Sequence, residues 1–334
     1  MKYRRLGRSG LEVSILCLGT MPFGEYTPDD EAVRIIHGAR DAGVNFIDTA
    51  DAYTGGNSER VVGRAIREER GRWLLATKVG NPMPPSSPNR RGSSRIWLLQ
   101  AVEESLARLG THIDIYYLHR DDLPTPLEET VATLGDLVRA GKIRYWGVSN
   151  FRAYRMAEVI RLCDLMGVPR PVVCQPYYNA MNRMPEVEIL PLCADHGLGV
   201  VPYSPLARGV LTGKYSGGVD PASRAGRKDK RMMETEFREE SIAIARTIKA
   251  HAEKRGRTAV GFGVNWVLAN PLVSSVIAGP RTESQWQGYL AAIDEPFDAE
   301  DEALLDRLVS PGHPSTPGYN DPVYPILGRP VKRG

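Results

Sequence analysis

The feature that most constrains this chain is a unit that recurs along it: a helical segment halts at a glycine, and a short apolar strand follows within a few residues. Helical stretches end near Gly43, Gly71, Gly110, Gly141, Gly167 and Gly197. The strands after them are Val44–Ile47, Trp73–Lys78, Ile113–His119, Ile143–Ser149, Val172–Gln175 and Gly199–Tyr203. A glycine tolerates the left-handed backbone that ends a helix, which makes it a stop signal. The first helix opens on Thr27-Pro28-Asp29-Asp30, read as a capping threonine with proline at the first helical position; Thr125-Pro126-Leu127-Glu128 repeats the device. Two further strands, Leu16–Gly19 and Ser274–Ala278, bracket the series.

Most of these strands are apolar throughout rather than alternating, as expected where protein covers both faces of a sheet. Eight strand–helix units with no linker between halves predict a single α/β domain, a closed (β/α)8 TIM barrel rather than an open doubly wound sheet. A barrel takes about 250 residues. The remainder of the 334 is assigned to three additions. These are an N-terminal β-hairpin (Tyr3–Leu6 with Val13–Ile15), an insert after strand seven at about 212–237, and a C-terminal helix and tail at 294–334 that follow a barrel spanning about 16–293.

Composition narrows the partners. A net charge of +3, with no aromatics interleaved in the basic run Arg224–Arg231, argues against nucleic acid, and no apolar stretch has the length of a membrane span. That run reads as a solvated loop, or as a lid over a bound ligand. The four cysteines (Cys17, Cys163, Cys174, Cys193) lie far apart in apolar settings, which suits buried thiols in a reducing, cytoplasmic compartment. His112, Asp114 and His119 lack the spacing of a metal site, so none is expected.

In a parallel barrel the chemistry sits at the C-terminal ends of the strands. Those ends carry Asp48 and, five residues on, Tyr53; then Lys78, His119, Ser149-Asn150, Gln175 and Tyr203-Ser204. A lysine closing the run Leu74-Leu75-Ala76 is costly to bury unpaired, and Asp48 on the adjacent strand is its natural counter-ion. An ammonium beside Tyr53 favours phenolate and so draws the phenol toward the range of an acid catalyst, while His119 offers a second polar group to a substrate oxygen. Each residue also has a plain structural reading: a strand-end ion pair, a core histidine, a surface tyrosine in a glycine-bearing loop. Convergence of all four on one rim favours the chemical one.

The run Phe46-Ile47-Asp48-Thr49-Ala50-Asp51-Ala52-Tyr53 with Ser58-Glu59 and Gly63 resembles the signature of the aldo-keto reductase superfamily. Thr77-Lys78, Leu118-His119, Gly147–Phe151, Gln175–Asn179, Tyr203–Ala207 and Gly209–Tyr215 match further family blocks in order, and the likeness is greatest to the bacterial oxidoreductases grouped with potassium-channel β subunits. The resemblance implies a tetrad of Asp48, Tyr53, Lys78 and His119, with Tyr53 giving the proton to a carbonyl while a nicotinamide cofactor gives the hydride. It places the cofactor on Gly19, Thr20, Ser149, Asn150, Gln175, Tyr203, Ser204, Pro205, Leu206, Gly209, Lys214, Gly279, Arg281, Gln285 and Tyr289. Arg281 at a 2′-phosphate would make NADPH the cofactor. The chain departs from the pattern at Gly288 and Tyr289, where the family usually has an acid and an asparagine for the adenine. The substrate loops would bring Phe23, Tyr26, Trp97 and Arg120 around a small carbonyl compound, an apolar and partly aromatic pocket with one arginine. Two other readings stay open: a cofactor-binding regulatory subunit with little turnover, and a Schiff-base aldolase using Lys78.

Overall fold

The computed structural model describes residues 1–221, 223–326 and 328. The tail expected from the sequence therefore extends beyond the described residues at 327 and 329–334, as does the insert at 222. A hairpin of β1 (Tyr3–Arg5) and β2 (Glu12–Ser14) precedes eight parallel strands. These are β3 (Leu16–Gly19), β4 (Phe46–Asp48), β5 (Leu74–Val79), β6 (Ile113–Leu118), β7 (Ile143–Ser149), β8 (Val173–Gln175), β9 (Gly199–Val200) and β10 (Val276–Ala278). They run in chain order from β3 to β9, and β10 pairs with β3 through Leu16 and Val276. Closure onto β9 is made by Ser274 N–H donating to Val200 O (2.9 Å) and Ile277 N–H donating to Pro202 O (3.0 Å). The result is the expected (β/α)8 barrel, with the hairpin under its N-terminal end: Arg8 N–H donates to Gly197 O at 2.8 Å.

Helices α1 (Asp29–Asp41), α2 (Asn57–Ile66), α3 (Arg95–Leu109), α4 (Leu127–Arg139), α5 (Ala153–Met166) and α6 (Ile189–His196) follow the strands in turn. Helix α7 (Lys230–Thr235) lies in the insert, and α8 (Glu239–Lys254), α9 (Ala259–Ala269), α10 (Glu283–Ala292) and α11 (Ala299–Leu308) complete the chain. The stop glycines behave as read at Gly43, Gly110, Gly141, Gly167 and Gly197, all with φ between 63° and 80°. Gly71 does not: α2 ends at Ile66 and a 3-10 stretch, Arg67–Arg72, carries the chain to β5.

The two threonine caps are also corrected. Neither Thr27 nor Thr125 caps its helix; Pro28 and Pro126 occupy the capping positions. Thr27 Oγ1 instead donates to Arg281 O at 2.8 Å, tying the loop after β3 to the loop after β10. Thr125 Oγ1 donates to Asp122 at 2.6 Å. Each hydroxyl has a partner in the loop network at the barrel mouth, and those contacts are what hold it. All four cysteines are buried free thiols. No helix among the described residues is long and apolar enough to cross a membrane.

Candidate active site

Strand register brings Asp48, Lys78 and His119 together, and the turn after β4 delivers Tyr53 to them. Asp48 on β4 pairs with Ala76 on β5, and Lys78 pairs with Tyr117 on β6. Because side chains alternate along a strand, Asp48, Ala76, Lys78, Tyr117 and then His119 share the inward face. Lys78 is 0% exposed, so its ammonium depends wholly on protein partners. It contacts an Asp48 carboxylate oxygen and donates to Thr49 O (2.9 Å) and to the Tyr53 hydroxyl oxygen (3.0 Å). An ammonium has three protons and no lone pair, so Tyr53 accepts here and its own hydroxyl proton points elsewhere. The other Asp48 oxygen accepts from Gln175 Nε2 at 2.9 Å, across the barrel from β8.

Tyr53 begins a 3-10 turn, Tyr53–Gly56, in which Thr54, Gly55 and Gly56 all have positive φ (48°, 63° and 92°). The turn is pinned from below. Thr54 Oγ1 donates to Phe23 O (2.8 Å), and Ser58 Oγ lies 2.8 Å from Thr20 Oγ1 and 2.9 Å from Thr49 Oγ1. Beneath that, buried Glu59 accepts from Thr77 Oγ1 and from Arg108 Nε, both at 2.5 Å. The His119 ring stands edge-on to Tyr53 with centroids 5.6 Å apart. Its Nδ1 faces the Asn81 side-chain nitrogen at 3.1 Å; as oriented, that amide donates, so the neutral ring carries its proton on Nε2.

Burial pushes the Tyr53 phenol above its ordinary value of 10. Lys78 pulls it down as anticipated from the sequence, but burial outweighs that pull and Asp48 adds to the rise. Tyr53 is therefore a fully protonated acid at neutral pH. Burial, Lys78 and Arg120 together hold His119 well below 6.5, so its ring is neutral. Burial alone would lower Lys78, yet Asp48 and Tyr53 carry it above its ordinary value and keep it charged.

The residues expected to hold a cofactor form a continuous arc from β7 to β10. Ser149 Oγ donates to Gln175 O (2.9 Å), and Asn150 bridges His119 O (2.9 Å) to the Tyr203 hydroxyl (2.8 Å). Tyr203 stacks on Tyr177, with centroids 5.5 Å apart. The chain then turns tightly through Ser204, Pro205 and Leu206 into Ala207, Arg208 and Gly209, the last three with φ of 47°, 51° and 93°. Lys214 folds back over Gly209, where a β-carbon would sit 3.0 Å from its Nζ. Past β10, a β-carbon at Gly279 would be in ordinary contact with Gly19 O at 3.9 Å, and Arg281 N–H donates to Gln285 Oε1 at 2.8 Å. Tyr289 packs against the core, and burial raises its phenol. On the β3 side, Gly19 is a tight approach, since a β-carbon would meet Ile277 at 2.6 Å, and buried Thr20 Oγ1 donates to Asp48 O (3.0 Å).

Four arginines converge on this arc. Arg224 and Arg227 come from the insert, Arg208 from the turn after β9 and Arg281 from beyond β10. Burial lowers the Arg224 guanidinium, and Arg208, Arg281 and Arg227 add to that, with Asp229 opposing. Burial and Arg227 lower Arg281 likewise. The Nε atoms of Arg208 and Arg281 are buried with no hydrogen-bond partner among the described residues. A cluster of guanidinium groups with orphaned donors fits a bound polyanion, as a dinucleotide with a further phosphate would be.

The residues expected to line the substrate loops scatter. Phe23 and Trp97 are fully buried, with the Arg90 guanidinium 4.9 Å from the Trp97 ring. Tyr26 is exposed and lies against Arg227 of the insert, 5.7 Å from ring to guanidinium. Arg120 stands beside His119 and 5.9 Å from the ring of Tyr324 in the tail. Sequence reading did not single out Asn81, Arg208 or Tyr324, whereas Arg227 belongs to the basic run read as a solvated loop or a lid. Of the three missed residues only Arg208 left a trace, as a bulky residue directly before a block glycine.

A family model described as the aldo/keto reductase family matches residues 15–310. The chain is 38% identical over 304 residues to a probable voltage-gated potassium channel subunit beta of Arabidopsis thaliana, covering 88% of this chain and 92% of that one. It is 36% identical to the uncharacterized oxidoreductase YrpG of Bacillus subtilis (96% and 99% covered) and 31% identical to the L-glyceraldehyde 3-phosphate reductase of Escherichia coli K12 (93% and 93%). The reductase names among the relatives support an oxidoreductase that acts on carbonyl groups in general. With a closed barrel, an Asp–Lys–Tyr–His cluster at its mouth and a match over nearly 300 residues, this chain belongs to the aldo/keto reductase family.

Proposed function

We propose that this protein reduces an aldehyde or ketone to an alcohol with NADPH, and that Tyr53 supplies the proton. The observation that carries the reading is the 3.0 Å contact from Lys78 Nζ to the Tyr53 oxygen, with Asp48 behind the lysine. The contact leaves the phenolic proton free to be given outward and sets a positive charge where phenolate would develop. His119, neutral with its proton on Nε2, donates to the same carbonyl oxygen and orients it. The nicotinamide, when bound, supplies hydride to the carbonyl carbon. Tyr203 offers it a ring face, and Ser149, Asn150 and Gln175 offer its carboxamide polar partners.

NADPH is favoured over NADH by Arg281, with Arg227 and Arg224 beside it. A guanidinium fork suits a phosphate dianion, and this cluster gains more from an added dianion than from a hydroxyl. The aldolase reading fares worse, because a Schiff-base lysine is activated by a lowered pKa and Lys78 is moved the other way. Among the readings held open, a regulatory subunit is distinguished by turnover alone.

The test pairs fluorescence titration of NADPH and NADH with aldehyde reduction by wild type and Tyr53→Phe. Expected are tighter binding of NADPH and a variant that binds it normally but loses nearly all reduction. Full turnover by Tyr53→Phe would remove the proposed donor.

A further inference from the structure

Resting on the reductase reading above, we infer that the substrate is an anionic carbonyl compound whose acid group is held by Arg120 at the rim of the site. Arg120 follows His119 directly, beyond the end of β6, and lies close enough for its charge to act on the His119 ring. An oxygen at His119 and an acid group at Arg120 therefore belong to one short molecule.

Among the described residues Arg120 has no carboxylate partner and makes no side-chain hydrogen bond, although acids stand next to it in sequence. Those acids are already committed. Asp121 receives Arg155 through both oxygens, at 2.8 and 2.9 Å. Asp122 accepts from Ser93 N–H (2.9 Å) and from Thr125 Oγ1 (2.6 Å). The nearby Asp321 is paired with Arg231.

What faces Arg120 instead is the aromatic ring of Tyr324, at 5.9 Å, and that ring is fixed on the tail by three contacts. Arg152 donates to Tyr324 O (2.6 Å), the Arg231 guanidinium lies 5.8 Å from the ring centroid, and Arg231 binds Asp321 three residues earlier. Tyr324 in turn is close enough to influence Tyr53 electrostatically, so the aromatic wall, the cation and the acid catalyst share one mouth. A guanidinium within cation–π range of an aromatic ring and lacking an acid has its fork free for a planar anion. His119 also registers the charge of Arg120, which contributes to its neutral state.

The experiment compares para-carboxybenzaldehyde with its methyl ester, and glycolaldehyde phosphate with glycolaldehyde, using wild type, Arg120→Gln and Arg120→Lys with saturating NADPH. Wild type is expected to favour the acid over its neutral counterpart by about 10- to 100-fold in kcat/KM, the scale of a charge-assisted hydrogen-bond pair. Whichever pair shows the preference identifies the acid as carboxylate or phosphate. Arg120→Gln should abolish that preference by lowering kcat/KM for the acid toward the value for its neutral counterpart, and unchanged NADPH binding shows that the variant is folded. Arg120→Lys should restore part of it. Equal turnover of acid and neutral forms by wild type in both pairs, or a preference retained in Arg120→Gln, overturns the inference and leaves the reductase reading intact. Failure of wild type to reduce any of the four overturns the reductase reading itself.

Discussion

Replacing Lys78 with methionine separates two roles that one side chain combines. At 3.0 Å from the Tyr53 oxygen, its ammonium attracts a phenolate by about 5–6 kcal/mol at an effective dielectric constant of about 20. That corresponds to roughly four powers of ten in the acidity of the phenol. Without it, the burial that already raises Tyr53 goes unopposed, and reduction should fall by about 10²- to 10⁴-fold, the range for a general acid. The same change strands Asp48, a buried carboxylate whose pKa burial already pushes up against Lys78 and Gln175. Breaking a buried pair from one side costs about 3–5 kcal/mol of stability. Adding Asp48→Asn removes the stranded charge, so the double variant should regain most of the lost stability and none of the lost rate. Urea denaturation and single-turnover oxidation of NADPH measure the two separately. A double variant that recovers turnover along with stability would refute the assignment and leave Lys78 a merely structural cation.

Three further outcomes follow from groups already described. The pH profile of kcat/KM for reduction should be flat across the neutral and mildly alkaline range, because Tyr53 is held above its ordinary value and His119 well below its own, and it should fall only at strongly alkaline pH. Stability should decline as pH drops below 6.5, since the unfolded imidazole binds a proton that the folded one refuses; denaturation midpoints on either side of that value check the sign. Arg108→Met strands buried Glu59 and should cost about 3–5 kcal/mol, with Glu59→Gln in the same chain recovering most of it in urea titrations.

The parts of this molecule that were legible in its sequence are those governed by local rules. Apolar runs ending in single polar residues located Asp48, Lys78, His119 and Gln175, because a parallel strand buried on both faces admits polarity only at its end. Five of six stop glycines were legible for a similar reason, as positive φ is a local demand. Choices made by tertiary partners were not legible. Thr27 has the pattern of a helix cap, but its hydroxyl goes to Arg281 O, more than 250 residues away. Asn81 next to His119 and Tyr324 next to Arg120 are set by loop paths that carry no periodicity. The basic run of the insert reads as a solvated loop or a lid, because nothing in a linear sequence says that Arg224 and Arg227 fold back onto Arg281. The sign of the Tyr53 shift was hidden too, since the pull of a lysine follows from adjacency, whereas the cost of desolvation depends on how completely the mouth covers the phenol.

The seam of the barrel lies between the two strands farthest apart in the chain, with Leu16 set against Val276. Pairing across so long a loop is entropically late in folding. The residues that handle protons are all synthesised by His119, whereas the arginine cluster spans Arg208 to Arg281. A nascent polypeptide halted before its last stave thus carries every residue of the proposed acid catalyst, but not the strand that closes the barrel or the full arginine cluster proposed to cradle a dinucleotide. Competence then arrives in one step, when the ends of the chain meet.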